Sequence, residues 1–99
     1  MAARIFPAAR RQLLEIWSYT EKAWSENQAD KYVRELIAAI NSAERNRHLW
    51  RPVMDADLPT VFSFRHQHHY VFFRELTKGL GVISILHENM DIPAQLKEE

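Results

Sequence analysis

Leu13, Ile16, Trp17, Thr20 and Trp24 recur at three- and four-residue steps, which gathers them on one face of a helix and leaves Arg11, Glu15 and Lys22 off it. Pro7 suits the first turn, where its missing N–H is not needed, so a helix is predicted from about Pro7 to Trp24. Ser25 followed by Gln28 has the spacing of a capping box and restarts a helix after a tight corner. Ala29, Val33, Leu36, Ile37, Ile40 and Ala43 form the next apolar stripe, with Asp30 and Arg34 spaced to pair on the wet side. This second helix is predicted to end near Asn46, and the short link makes the two an antiparallel hairpin.

Beyond it the period changes. "RHLWRPVMDADLP" contains two prolines and no stripe, so it reads as an irregular connection. "TVFSFRH" alternates, with Val61 and Ser63 on one side and Phe62 and Phe64 on the other. "HYVFFREL" and "GVISIL" are rich in β-branched and aromatic residues, separated by the turn "TKGLG" with the chain's only two glycines. Three strands in an antiparallel meander are expected, joined by a short N-terminal strand from "ARIF". The fold class is therefore α+β: a helical hairpin packed on one face of a small four-stranded antiparallel sheet, in the order β-α-α-β-β-β.

Ninety-nine residues suffice for one domain with one core. Thirteen Lys plus Arg balance thirteen Asp plus Glu, so no overall positive field draws in nucleic acid. The absence of cysteine excludes disulfides and thiolate metal sites and fits a reducing cytoplasm. The apolar runs are too short for a membrane span, and the N-terminus lacks the apolar stretch of a secretory signal.

Three histidines in "RHQHH" raise a metal site. On one continuous strand His66 and His68 would share a face while His69 points away, so a solvent-facing turn is the better reading and no metal or other cofactor is expected. In "GVISILHENMD" a hydrophobic run stops at His87. A nuclease reading would make His87 a general acid or base, yet Arg65, Arg74 and Lys78 are the only cations between Phe62 and Pro93. The ring is instead expected to pack at the end of the sheet and hydrogen-bond backbone, with no residue assigned to catalysis.

The arrangement resembles the ParE-type toxins of the RelE/ParE toxin–antitoxin superfamily. "ARRQLLEIWSYTEKAWSENQADKYVREL" looks like that family's helical hairpin, "NRHLWRP" like a degraded "NPxxGRP", "FSFRHQHHYVFFR" like its central β-hairpin and "ILHENMD" like its "ILHxxMD" ending. Arg47 and Trp50 depart from the usual proline and glycine, Phe62 falls where an arginine is frequent, and the turn at Arg65 to His68 lacks the common glycine. The resemblance implies a cytoplasmic, non-enzymatic toxin that inhibits DNA gyrase by binding and is silenced in a hetero-oligomer by a ParD-like antitoxin, which alone would connect it to DNA. A role in plasmid stabilisation goes with such systems. Its alternatives are a RelE-type ribosome-dependent mRNA endonuclease and a decayed member that only binds its antitoxin. Two helices on a small sheet are expected to leave an apolar groove for an antitoxin helix, with Leu13, Trp17, Tyr32, Leu36, Phe64 and Phe72 as candidates. The target-binding candidates are His87, Glu88, Asn89, Met90 and Asp91.

Overall fold

A computed structural model of the chain describes residues 3–55, 57–58 and 60–90. Strand β1 (Arg4–Ile5) leads into helices α1 (Pro7–Ala23) and α2 (Glu26–Ser42), two 3-10 turns (Ala43–Arg45 and Arg47–Leu49), and strands β2 (Arg51–Pro52), β3 (Phe62–His66), β4 (His69–Glu75) and β5 (Leu80–His87). Pro7 opens α1 directly after the extended Phe6. Ser25 caps α2, its Oγ accepting the Gln28 N–H at 3.1 Å. Trp24 already lies outside α1, and its indole leaves the apolar face and is 77% exposed. Asp30 does not turn to Arg34 but accepts the Trp17 indole N–H at 2.8 Å, tying the two helices together.

Helix α2 ends at Ser42, earlier than the stripe suggests, because the chain tightens into 3-10 geometry there. The Asn46 amide donates to the Ser42 carbonyl at 3.0 Å, and the Trp50 indole N–H donates to the Ala43 carbonyl at 2.9 Å. Trp50 then packs edge-on against Phe73 at 4.9 Å and tilted on Phe62 at 5.4 Å, sealing one end of the helix–sheet layer.

The sheet has five strands rather than four, in the order β1-β5-β4-β3-β2. The additional strand comes from the connection read as irregular: Arg51 pairs with Ser63 and Pro52 with Phe62. Val53 N–H donates to Val61 O at 2.9 Å, so alternation puts Pro52 at a position whose N–H would face outward, where its absence costs nothing. At the opposite edge β1 runs parallel to β5, covering only Gly81 and Val82. Helix side chains occupy the backbone groups left open there: Asn41 accepts from Ala3 N–H at 3.2 Å, Arg10 donates to Ile5 O at 3.5 Å, and Gln12 accepts from Ile85 N–H at 2.6 Å. Ser84 Oγ donates to the same Gln12 oxygen at 3.2 Å, with both residues buried.

Packing occurs on both faces of the sheet. Under the helices, Leu13, Leu36 and Ile40 meet Phe64, Val71, Phe73, Val82 and Ile85. Each large side chain so buried contributes about 1.5–3 kcal/mol. On the other face Phe72 and Leu86 pack with Leu58 and Val61 of the β2–β3 connection, flanked by Val53, Tyr70 and Ile83. Of the two glycines placed in the β4–β5 turn, Gly79 is there with φ 86°, which favours glycine. Gly81 lies inside β5, where a Cβ would meet the Phe6 ring at 2.9 Å and Leu76 at 3.1 Å. Among the described residues, no helix is long and apolar enough to cross a membrane.

Candidate functional site

Of the chain's five histidines, His66, His68, His69 and His87 meet at one end of the sheet. The β3–β4 hairpin turns through Gln67 and His68, so His66 faces His69 across the ladder, and His69 in turn faces His87 of β5. Because this turn falls between the histidines, strand alternation does not apply across it: the rings of His66 and His69, not those of His66 and His68, share a neighbour. That neighbour is Tyr32 of α2, whose ring lies 5.8 Å from His66 and 5.5 Å from His69. His87 sits edge-on to His69 at 5.2 Å and roughly parallel to His68 at 6.3 Å. Gln67 supplies the bend at φ 53°, a conformation that glycine would adopt at lower cost.

The Tyr32 hydroxyl and His69 Nδ1 are 2.6 Å apart and share a hydrogen bond. Burial raises the Tyr32 phenol above its ordinary value, so it keeps its proton at neutral pH. Burial, reinforced by His87, His68 and His66, lowers His69 to about 4, so at neutral pH its ring is uncharged. The Asn89 N–H donates to His87 Nδ1 at 3.1 Å, and Met90 N–H to His87 O at 3.0 Å, curling the chain back after β5. Glu88 clasps the hairpin: one carboxylate oxygen takes the Arg65 guanidinium, the other lies 2.7 Å from His68 Nδ1, and its N–H donates to His68 O at 2.9 Å. The His68 hydrogen bond, with Arg65 adding to it, holds Glu88 below the usual carboxylate range.

The residues proposed for a partner groove divide between core and surface. Leu13, Leu36 and Phe64 are buried under the helices, and Phe72 is 3% exposed on the opposite face beneath Leu58 and Val61. They do not converge on one open cleft, because Val53, Leu58 and Val61 pack over Phe72 and Leu86 on the face that a two-layer reading leaves bare. Trp17 and Tyr32 are half-buried and already bonded, to Asp30 and His69. An open hollow on α2 is lined by Asn27, Asp30, Lys31, Arg34 and Glu35. Of the recognition segment, His87 and Glu88 are half-buried in the clasp, whereas Asn89 and Met90 are exposed, Met90 at 47%. Asp91 lies outside the described residues. Among the described residues, no group of three or more His, Cys, Asp or Glu is placed to hold a metal ion. Tyr32 entered the sequence reading as a groove residue and Glu88 as part of the terminal segment; their contacts with the histidines depend on the hairpin register, which carries no local signal.

Comparison with known proteins places this arrangement. A family model described as ParE toxin of type II toxin-antitoxin system, parDE, matches residues 4–92. A protein named Toxin ParE1 from Mycobacterium tuberculosis (strain CDC 1551 / Oshkosh) is 35% identical over 91 residues, covering 91% of this chain and 92% of its own. Toxin ParE1 of Caulobacter vibrioides is 29% identical over 93 residues, with coverages of 94% and 95%. Among solved structures, a chain of the chromosomal ParDE TA system from P. aeruginosa superposes with a TM-score of 0.73 at 18% identity, covering 88% of this chain and 95% of that one. A chain of the RelBE2 toxin-antitoxin complex from Mycobacterium tuberculosis gives a TM-score of 0.65 at 14% identity over 87% of this chain and 88% of that one.

Proposed function

This chain belongs to the ParE toxin family of type II toxin–antitoxin systems, and from that premise we propose that it is a cytoplasmic toxin acting by binding DNA gyrase, held silent by a ParD-like antitoxin. The observation that carries the reading is the family match across residues 4–92. Solved chains of the same fold come from toxin–antitoxin systems, which supports an antitoxin as the resting partner.

Binding is favoured over RNA cleavage by the charges at the histidine end. A ribonuclease needs cations free to hold a scissile phosphate and stabilise the charge that develops on it. Here the one guanidinium at the cluster, that of Arg65, is taken by Glu88, and the same carboxylate occupies His68. A phosphate would meet a carboxylate at this place.

Purified protein added to gyrase should abolish supercoiling of relaxed plasmid, and equimolar antitoxin should restore it. Full supercoiling at large molar excess of toxin would overturn the reading. Transcript cleavage on translating ribosomes, lost in His87→Ala, would replace it with the endonuclease reading. Harmless overexpression without antitoxin would leave only antitoxin binding.

A further inference from the structure

Among the described residues, the imidazoles at the end of the sheet are short of anions. Tyr32 faces them from α2, Arg65 and His66 from β3, His68 from the turn, and His87 and then Glu88 from the end of β5. Glu88 is the one carboxylate in this set, and it already holds Arg65 and His68. A proton on His68 would add to its contact with Glu88. Among the described residues, protons on the other rings meet no second carboxylate, and the one on His87 cuts an existing bond. A neutral histidine whose Nδ1 accepts must take its next proton on that atom. For His87 this expels the Asn89 N–H that folds the chain back after β5, whereas at His69 the new N–H can donate to the Tyr32 oxygen in turn. His66 Nε2 is buried without a hydrogen-bond partner in the protein, so a proton there would find no acceptor side chain.

We propose that this end of the sheet is an acid-released clasp: protons added to the touching imidazoles drive the His66–His69 turn and the His87–Met90 segment apart, freeing that segment from the sheet. The sign follows from His69. Its ring is held near 4, below the ordinary 6.5, so the closed form is favoured fully above about 6.5 and loses that advantage as the pH falls toward 4. Glu88, itself depressed, keeps its grip on the turn throughout most of this window and lets go only below the ordinary carboxylate range. The Glu88 clasp is therefore the last contact to fail.

Amide hydrogen exchange on the full chain, read residue by residue at pH 7.5 and pH 5, tests this. Protection of the Asn89 N–H should fall roughly tenfold, allowing for water that reaches part of the His69 ring. The Phe6 N–H, bonded to Val82 O at the far side of the sheet, should keep its protection. Unchanged protection at Asn89, or an equal loss at Phe6, overturns the clasp. The double variant His69→Gln, His87→Gln offers acceptors that take no proton, and it should hold its protection at pH 5. Should that variant not fold, ring titration of the native chain decides: His69 must protonate together with the loss of Asn89 protection, and four independent titrations near 6.5 overturn the idea. That the freed segment meets gyrase rests on the function proposed above. Opening is read on the free chain, so a failure to inhibit gyrase and a failure to open are distinct results.

Discussion

Gln12 is a polar residue on the apolar side of α1, and replacing it by methionine isolates what its buried amide does. The side-chain oxygen takes the Ile85 N–H at 2.6 Å and the Ser84 hydroxyl at 3.2 Å, with Ser84 0% exposed and Ile85 2%. Methionine keeps the length and fills the space but accepts neither donor. Leaving a backbone N–H buried and unpaired costs about 1–3 kcal/mol, and the stranded hydroxyl adds about 1 kcal/mol. Extra apolar burial by the thioether returns about 1 kcal/mol, for a net loss of about 1–3 kcal/mol. With a urea slope of about 1–1.5 kcal/mol/M for a domain of this size, the midpoint should fall by about 1–2 M at unchanged slope, followed by tryptophan fluorescence. Adding Ser84→Ala to the methionine variant should recover part of the loss, whereas Ser84→Ala alone should be destabilising, a coupling expected only of groups in contact. A midpoint shift under about 0.5 M, or strictly additive single and double variants, would refute the account of how this edge is held.

Gln67→Gly should stabilise the chain by about 1 kcal/mol, because glycine takes the left-handed conformation at φ 53° without the clash that a side chain brings. A urea midpoint that stays put or falls would mean the turn bears no such strain. Gly81→Ala should lower stability by about 1–3 kcal/mol, since its methyl would stand 2.9 Å from the tip of the Phe6 ring. Shortening the obstacle with Phe6→Leu should recover part of that loss in thermal unfolding, and no recovery would place the cost elsewhere.

The helical hairpin was legible because its information is local. Pro7, the Ser25 cap and the stripe through Leu36 and Ile40 each act within a turn or two of the chain. The three long strands were legible for the same reason, as runs of Phe, Val and Ile between turns. Strand β2 was not, because two residues ending in proline have no strand pattern of their own and pair only when β3 is already present. The second small core escaped too: Leu58 and Val61 cover Phe72 from a segment with no periodicity, and only the tertiary path of the connection brings them there. The histidine end shows the same limit at finer grain. Its residues were conspicuous, but which rings touch depends on a two-residue turn whose bend falls on a glutamine.

Pro52 on one side, and Arg10, Gln12 and Asn41 on the other, leave little bare backbone at either margin of the sheet. A ribbon with vacant rungs would template its own copies into stacks. In this chain the helices lend their side-chain amides and a guanidinium as stand-ins for a missing neighbour. Copies of this chain are thus offered few open rungs on which to zip together.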